Sequence, residues 1–87
     1  MKAKDLITHE IEEDIFSPGP ADVRLRRSGV HVWAIVGHYL YAVNRDREAV
    51  ARDYGLSLEE IDAALAYYHK HPQVIEGRLA ANRPTAV

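Results

Sequence analysis

The run from Asp46 to Tyr68 constrains this chain more than any other, because its residues admit one local solution: helix, tight turn, helix. Asp46 has the side chain that accepts hydrogen bonds from the free amides opening a helix, and Val50, Ala51 and Tyr54 follow at spacings that lay one face inward. Gly55 then supplies a residue at ease with positive φ where a helix ends, and Leu56 can fold back onto that end. Ser57 with Glu60 three residues later is a capping box, each side chain serving the other's backbone amide. Ile61, Ala64, Leu65 and Tyr68 continue at i, i+3, i+4 and i+7, the buried stripe of a second helix. Small Ala51 at the crossing and apolar Val50, Leu56 and Ile61 around it match the register of a helix-turn-helix.

The second helix is unlike one that reads DNA. A groove-reading helix presents Arg, Lys, Asn or Gln from its first turns, and here those turns present Glu59, Glu60 and Asp62. Three carboxylates facing a polyanion add repulsion without matching donors. The helix is therefore not expected to read a groove unaided.

Charge along the chain is segregated. The net charge of −2 is the sum of −4 over residues 1–22, +4 over 23–47, −4 over 48–76 and +2 over 77–87. Arg24, Arg26, Arg27, Arg45 and Arg47 make up the basic block and are the candidate phosphate-binding residues, unless they pair with the chain's own acidic segments.

Upstream, Ile7, Ile11 and Ile15 at i, i+4 and i+8 with acids around them predict an amphipathic helix over residues 4–16, closed by Pro18, Gly19 and Pro20. From Asp22 to Val32 the alternation turns to period two, with Ser28 and Gly29 as a turn, predicting a short β ribbon. Trp33, Val36, Leu40 and Val43 predict a helix from Val32 to about Val43, in which Gly37 permits close approach of a neighbour. Pro72 opens a last helix carrying Val74, Ile75 and Leu79. The expected fold is thus mainly α: a three- or four-helix helix-turn-helix bundle preceded by a short β ribbon and an N-terminal amphipathic helix. Its expected divisions are residues 1–20 as helix and linker, 21–82 as the single domain and 83–87 as a frayed tail.

Three segments carry a family resemblance: Val32-Trp-Ala-Ile-Val36, Glu48-Ala-Val-Ala-Arg-Asp-Tyr-Gly-Leu-Ser57 and Ala63-Ala-Leu-Ala-Tyr-Tyr68. Together, over residues 24–76, they resemble the small bacterial proteins catalogued as domain of unknown function 433. Where that family often has Ile-Arg-Gly-Thr-Arg-Ile-Pro-Val, this chain keeps the apolar positions and Arg26 but has Arg27, Gly29 and His31 in place of glycine, arginine and proline. The resemblance implies a short β segment before a helix-turn-helix bundle. It also implies an antitoxin that binds and neutralises a PIN-type ribonuclease, as in VapBC-type pairs, and often binds its own promoter. The alternatives are a transcription regulator without a toxin partner and a structural or adaptor module.

Chemistry finds little footing. There is no cysteine, and Ser57, one of three serines, already serves as a cap. Glu12 with Glu13 and Glu59 with Glu60 are sequence neighbours that diverge on helices. His69 and His71 stand two apart, about 200° around a helix, and cannot share an ion while it continues. No enzyme activity, metal or cofactor is expected. No apolar run approaches the ~20 residues of a membrane span, so the chain is expected in the cytoplasm. A chain this short buries only about 60% of its unfolded surface, which favours a homodimer. Tyr41, Leu58, Glu59, Asp62 and Tyr67 are the candidate protein-interface residues, tyrosine offering an apolar ring with a polar tip.

Overall fold

The computed structural model describes Ile7, residues 10–12 and residues 19–82. It is mainly helical with one small antiparallel sheet. The sheet pairs β1 (Ile11–Glu12) with β2 (Arg24–Leu25), and the helices are α1 (Val32–Gly37), α2 (Arg47–Tyr54), α3 (Leu58–Lys70) and α4 (Pro72–Asn82). A 3₁₀ turn at Pro20–Asp22 precedes β2, and a π turn at His38–Ala42 prolongs α1.

The caps around the α2–α3 corner form as their residues dictate. Asp46 Oδ1 accepts from the amides of Glu48 and Ala49 at 3.1 and 3.2 Å. Gly55 sits in the left-handed region at φ 68°, and the Leu56 amide donates back to the Ala51 carbonyl at 2.9 Å, closing the end of α2. Ser57 and Glu60 complete the capping box in both directions. A Cβ added at Gly55 meets no atom within 4 Å, so the penalty for a side chain there is purely one of backbone conformation. Gly55→Ala is accordingly expected to destabilise the chain by about 1–2 kcal/mol in urea unfolding; a neutral effect would contradict the left-handed cap.

Helix α1 packs most extensively on α3, with α2 and α4 completing the bundle and the Pro20–Asp22 turn resting on α4. Val32, Ile35, Val36, Val50, Ile61, Ala64 and Ile75 form its centre, joined by Ile7, Ile11, Val23 and Leu25 from the N-terminal third. At Gly37 an added Cβ would lie 2.8 Å from Leu79 Cδ2, so the glycine does allow α4 to approach α1 closely.

Two expectations about the first third need correction. Ile7 and Glu10 are helical, but the helix expected through residue 16 gives way at Ile11–Glu12 to extended backbone. Ile11 is drawn onto the ladder opposite Leu25, where both β-branched and γ-branched side chains are fully buried. The second strand of the ribbon is therefore this N-terminal segment; the hairpin expected within residues 22–32 survives as one bridge between Arg24 and His31, around Gly29 at φ 75°. Residues 13–18 and the tail 83–87 lie outside the described residues.

Candidate functional site

The α2–α3 corner exposes two large apolar side chains, with Asp53, Glu59 and Arg52 exposed near them in sequence. Tyr54 at the end of α2, expected on the inward face with Val50 and Ala51 but exposed, and Leu58 at the start of α3, 39% exposed, are two of the three large hydrophobic side chains that stand in solvent among the described residues. Glu59 and Glu60 occupy the first turn of α3, where carboxylates suit the positive end of the helix dipole. Asp62 accepts from Arg47 Nη1 through both oxygens, at 3.0 and 3.2 Å. On the other side, His38 Nε2 lies 2.9 Å from the Asp53 carboxylate, and its ring meets Tyr54 edge-on at 5.2 Å.

The arginine block is divided rather than continuous. Arg27 Nε donates to Glu10 Oε1 at 3.0 Å and its Nη2 to Ser57 Oγ at 3.2 Å, with Glu60 Oε1 at 3.9 Å. Glu10 and Glu60 are both buried, and the Arg27 guanidinium is the cation placed beside them. Glu10, first, and the nearby glutamates hold the Arg27 guanidinium even more firmly protonated than usual. Arg26 Nη2 donates to the Ile11 carbonyl at 3.0 Å, and Arg47 is held by Asp62. Arg24 and Arg45 are exposed and make no side-chain hydrogen bond or ion pair among the described residues. The block thus divides into three arginines engaged inside the chain and two facing outward, close to the self-pairing that charge segregation already allowed.

Of the interface candidates, Tyr41, at 66% exposed, and Leu58 and Glu59 are on the surface, and Asp62 is partly covered by its bond to Arg47. Tyr67 is a correction. It is only 2% exposed, belongs to the core, and donates its hydroxyl to the Pro20 carbonyl at 2.8 Å. Helix α3 carries a second buried stripe, Glu60, Ala63, Ala64 and Tyr67, because the N-terminal third lies over that side; Tyr68, expected in the core, is only half-buried. Two sequence-adjacent tyrosines cannot share a face, and the face nearer the N-terminal third took Tyr67.

A cleft not foreseen from the sequence opens where α1 leaves its π turn. It encloses about 320 Å³ and is lined by Tyr39, Leu40, Arg45, Tyr68, His69 and Pro72. Asn44 and Arg45 both adopt positive φ, at 52° and 62°, and the Arg45 amide donates to the Tyr39 carbonyl at 2.8 Å. Tyr68 donates its hydroxyl to Glu76 Oε2 at 3.0 Å; burial, then that bond, pushes its phenol above the ordinary range, so it stays protonated well past neutral pH. The only sequence signal for this turn is Asn44, a residue that tolerates the left-handed region.

No family model, curated protein or solved structure matches the chain. The family resemblance therefore rests on the three quoted segments. Their apolar positions Val32, Ile35, Val36, Val50, Ala63 and Ala64 are buried here. Among the described residues no group of three or more His, Asp or Glu is placed to hold a metal ion, and no helix is long and apolar enough to cross a membrane.

Proposed function

We propose that this chain is an antitoxin-like protein, built on a helix-turn-helix unit and acting as a homodimer, that binds and neutralises a basic ribonuclease of the PIN type. The observation that carries this reading is the corner at residues 53–59: Tyr54 and Leu58 are exposed with Asp53 and Glu59 beside them in sequence, Arg47 is bound to Asp62 and Arg27 to Glu10 and Ser57, and Arg52 is the one exposed cation next to Asp53. An apolar pair with carboxylates near it complements a surface evolved to hold RNA phosphates, since charge complementarity steers the encounter and the apolar pair anchors it. The same corner repels a nucleic acid duplex. The resemblance of residues 24–76 to an antitoxin-like family points the same way.

The direct test is to co-express this chain, tagged, with the reading frame beside its gene. The expected result is a stable complex with a small basic protein that arrests growth when expressed alone. A harmless neighbour, or a tagged chain that purifies without it, overturns the reading.

Arg24 and Arg45 favour a second activity, binding of the chain's own promoter, because they alone among the five arginines point outward without an ion pair among the described residues. A dimer using both from each chain would neutralise about four phosphates, giving a log–log salt slope on the order of −4. Arg24→Ala should cut that slope by about half while leaving toxin capture intact. Specific DNA binding in a chain with no toxic neighbour would make it the transcription regulator instead, and the absence of both would leave the adaptor role.

A further inference from the structure

The cleft beside the π turn is not used by the proposed toxin contact, and several features converge on it. Its volume of about 320 Å³ lies at the small end of ligand sites in proteins. The π turn at His38–Ala42 is an irregularity that occurs often at functional sites, and it sets Tyr39 and Leu40 in the cleft wall. Two consecutive non-glycine residues, Asn44 and Arg45, are held in the left-handed region, a conformation that persists where surrounding structure demands it. The outcome of that turn is to put an arginine without an ion pair among the described residues into the lining, together with Tyr68 and His69.

We propose that this cleft is a binding site for a small aromatic carboxylate, its ring against Tyr39 and Tyr68 and its carboxylate on the Arg45 guanidinium. The chemistry follows from what lines the space. A cation would meet Arg45, and a purely apolar guest would leave that charge unanswered. A planar carboxylate matches the guanidinium fork with two parallel hydrogen bonds, while the tyrosine rings accept a flat hydrocarbon body. Glu76, hydrogen-bonded to the lining residue Tyr68, brings a negative charge near the cleft, which a dianionic phosphate meets more unfavourably than a monoanion does. Two sources share this chemistry: a free aromatic acid, and an aromatic residue at the carboxyl end of a peptide.

The test is a titration of the ¹⁵N-labelled full chain followed by NMR, with sodium benzoate and N-acetylphenylalanine as probes, N-acetylphenylalanine amide as the uncharged control and adenosine monophosphate as the phosphate control. The expected result is saturable shifts confined to the cleft, at Tyr39, Arg45, Tyr68 and His69, for at least one of the two carboxylates and for neither control. Benzoate binding assigns a free acid; binding of N-acetylphenylalanine alone assigns a peptide end. Arg45→Gly removes the guanidinium at a backbone position that glycine adopts without strain, so the chain should stay folded while binding falls at least about tenfold. Arg45→Lys, which keeps the charge but not the fork, should fall between the two. Equal shifts with the amide, preference for the nucleotide, binding unchanged in Arg45→Gly, or no saturable shift into the millimolar range would each overturn the proposal.

Discussion

Ile61→Ala is expected to remove about 2–5 kcal/mol from the stability of this chain, the cost of deleting a branched aliphatic side chain from a packed interior. Ile61 is fully buried one turn into α3, the helix against which α1, α2 and α4 all pack, so no single neighbour can move to fill the space. At about 0.05–0.15 kcal/mol per residue a domain this small has little reserve, and the loss is a large fraction of the total. In thermal unfolding followed by circular dichroism the midpoint should fall by roughly 10–30 °C. Leu65→Ala, on the same helix but only partly buried, should cost distinctly less. Equal losses at the two positions would mean that α3 does not present Ile61 to the bundle.

The second large effect is expected in partner binding. Leu58→Arg places a cation at the centre of the acidic, apolar corner and removes one of its two anchors. Capture of the basic partner should weaken by about 30-fold or more, as for a central interface residue. Leu58 is the first residue of α3 and well exposed, so the same change should move stability by no more than about 0.5 kcal/mol. Matched denaturation curves with loss of co-purification would tie the corner to the partner. Undiminished capture by Leu58→Arg would remove the corner from the interface and shift attention to Tyr41.

How much of this could be read from the chain depended on how local the cause was. The Asp46 cap, the Gly55 turn and the Ser57–Glu60 box act within a few residues, and each forms as its residue types require. The last helix begins at Pro72 for the same reason. The π turn at His38–Ala42 was invisible, because no propensity of His, Tyr, Leu or Ala marks one. The pairing of Ile11 with Leu25 was hidden for a related reason: Ile7 and Ile11 suit a helical stripe and are both buried, yet only the tertiary partner decides that Ile11 leaves the helix. Charge segregation correctly allowed that the arginines would meet the chain's own acids. It could not say which ones, since Arg27 reaches 17 residues back to Glu10 and 30 forward to Ser57.

The Arg27 contact also changes what the N-terminal third means for the molecule. At one end of α3, Arg27 joins Glu10 to the Ser57–Glu60 cap; at the other, the Pro20 carbonyl holds the Tyr67 hydroxyl. These are two fasteners on a single cover, and beneath it runs the helical stripe from Glu60 to Tyr67, whose last residue the bare sequence offers to a partner. The chain is thus its own first occupant of that stripe. Any outside protein seeking it must displace an intramolecular competitor that is always present at high effective concentration, which leaves the opposite, acidic side of α3 as the side open to strangers.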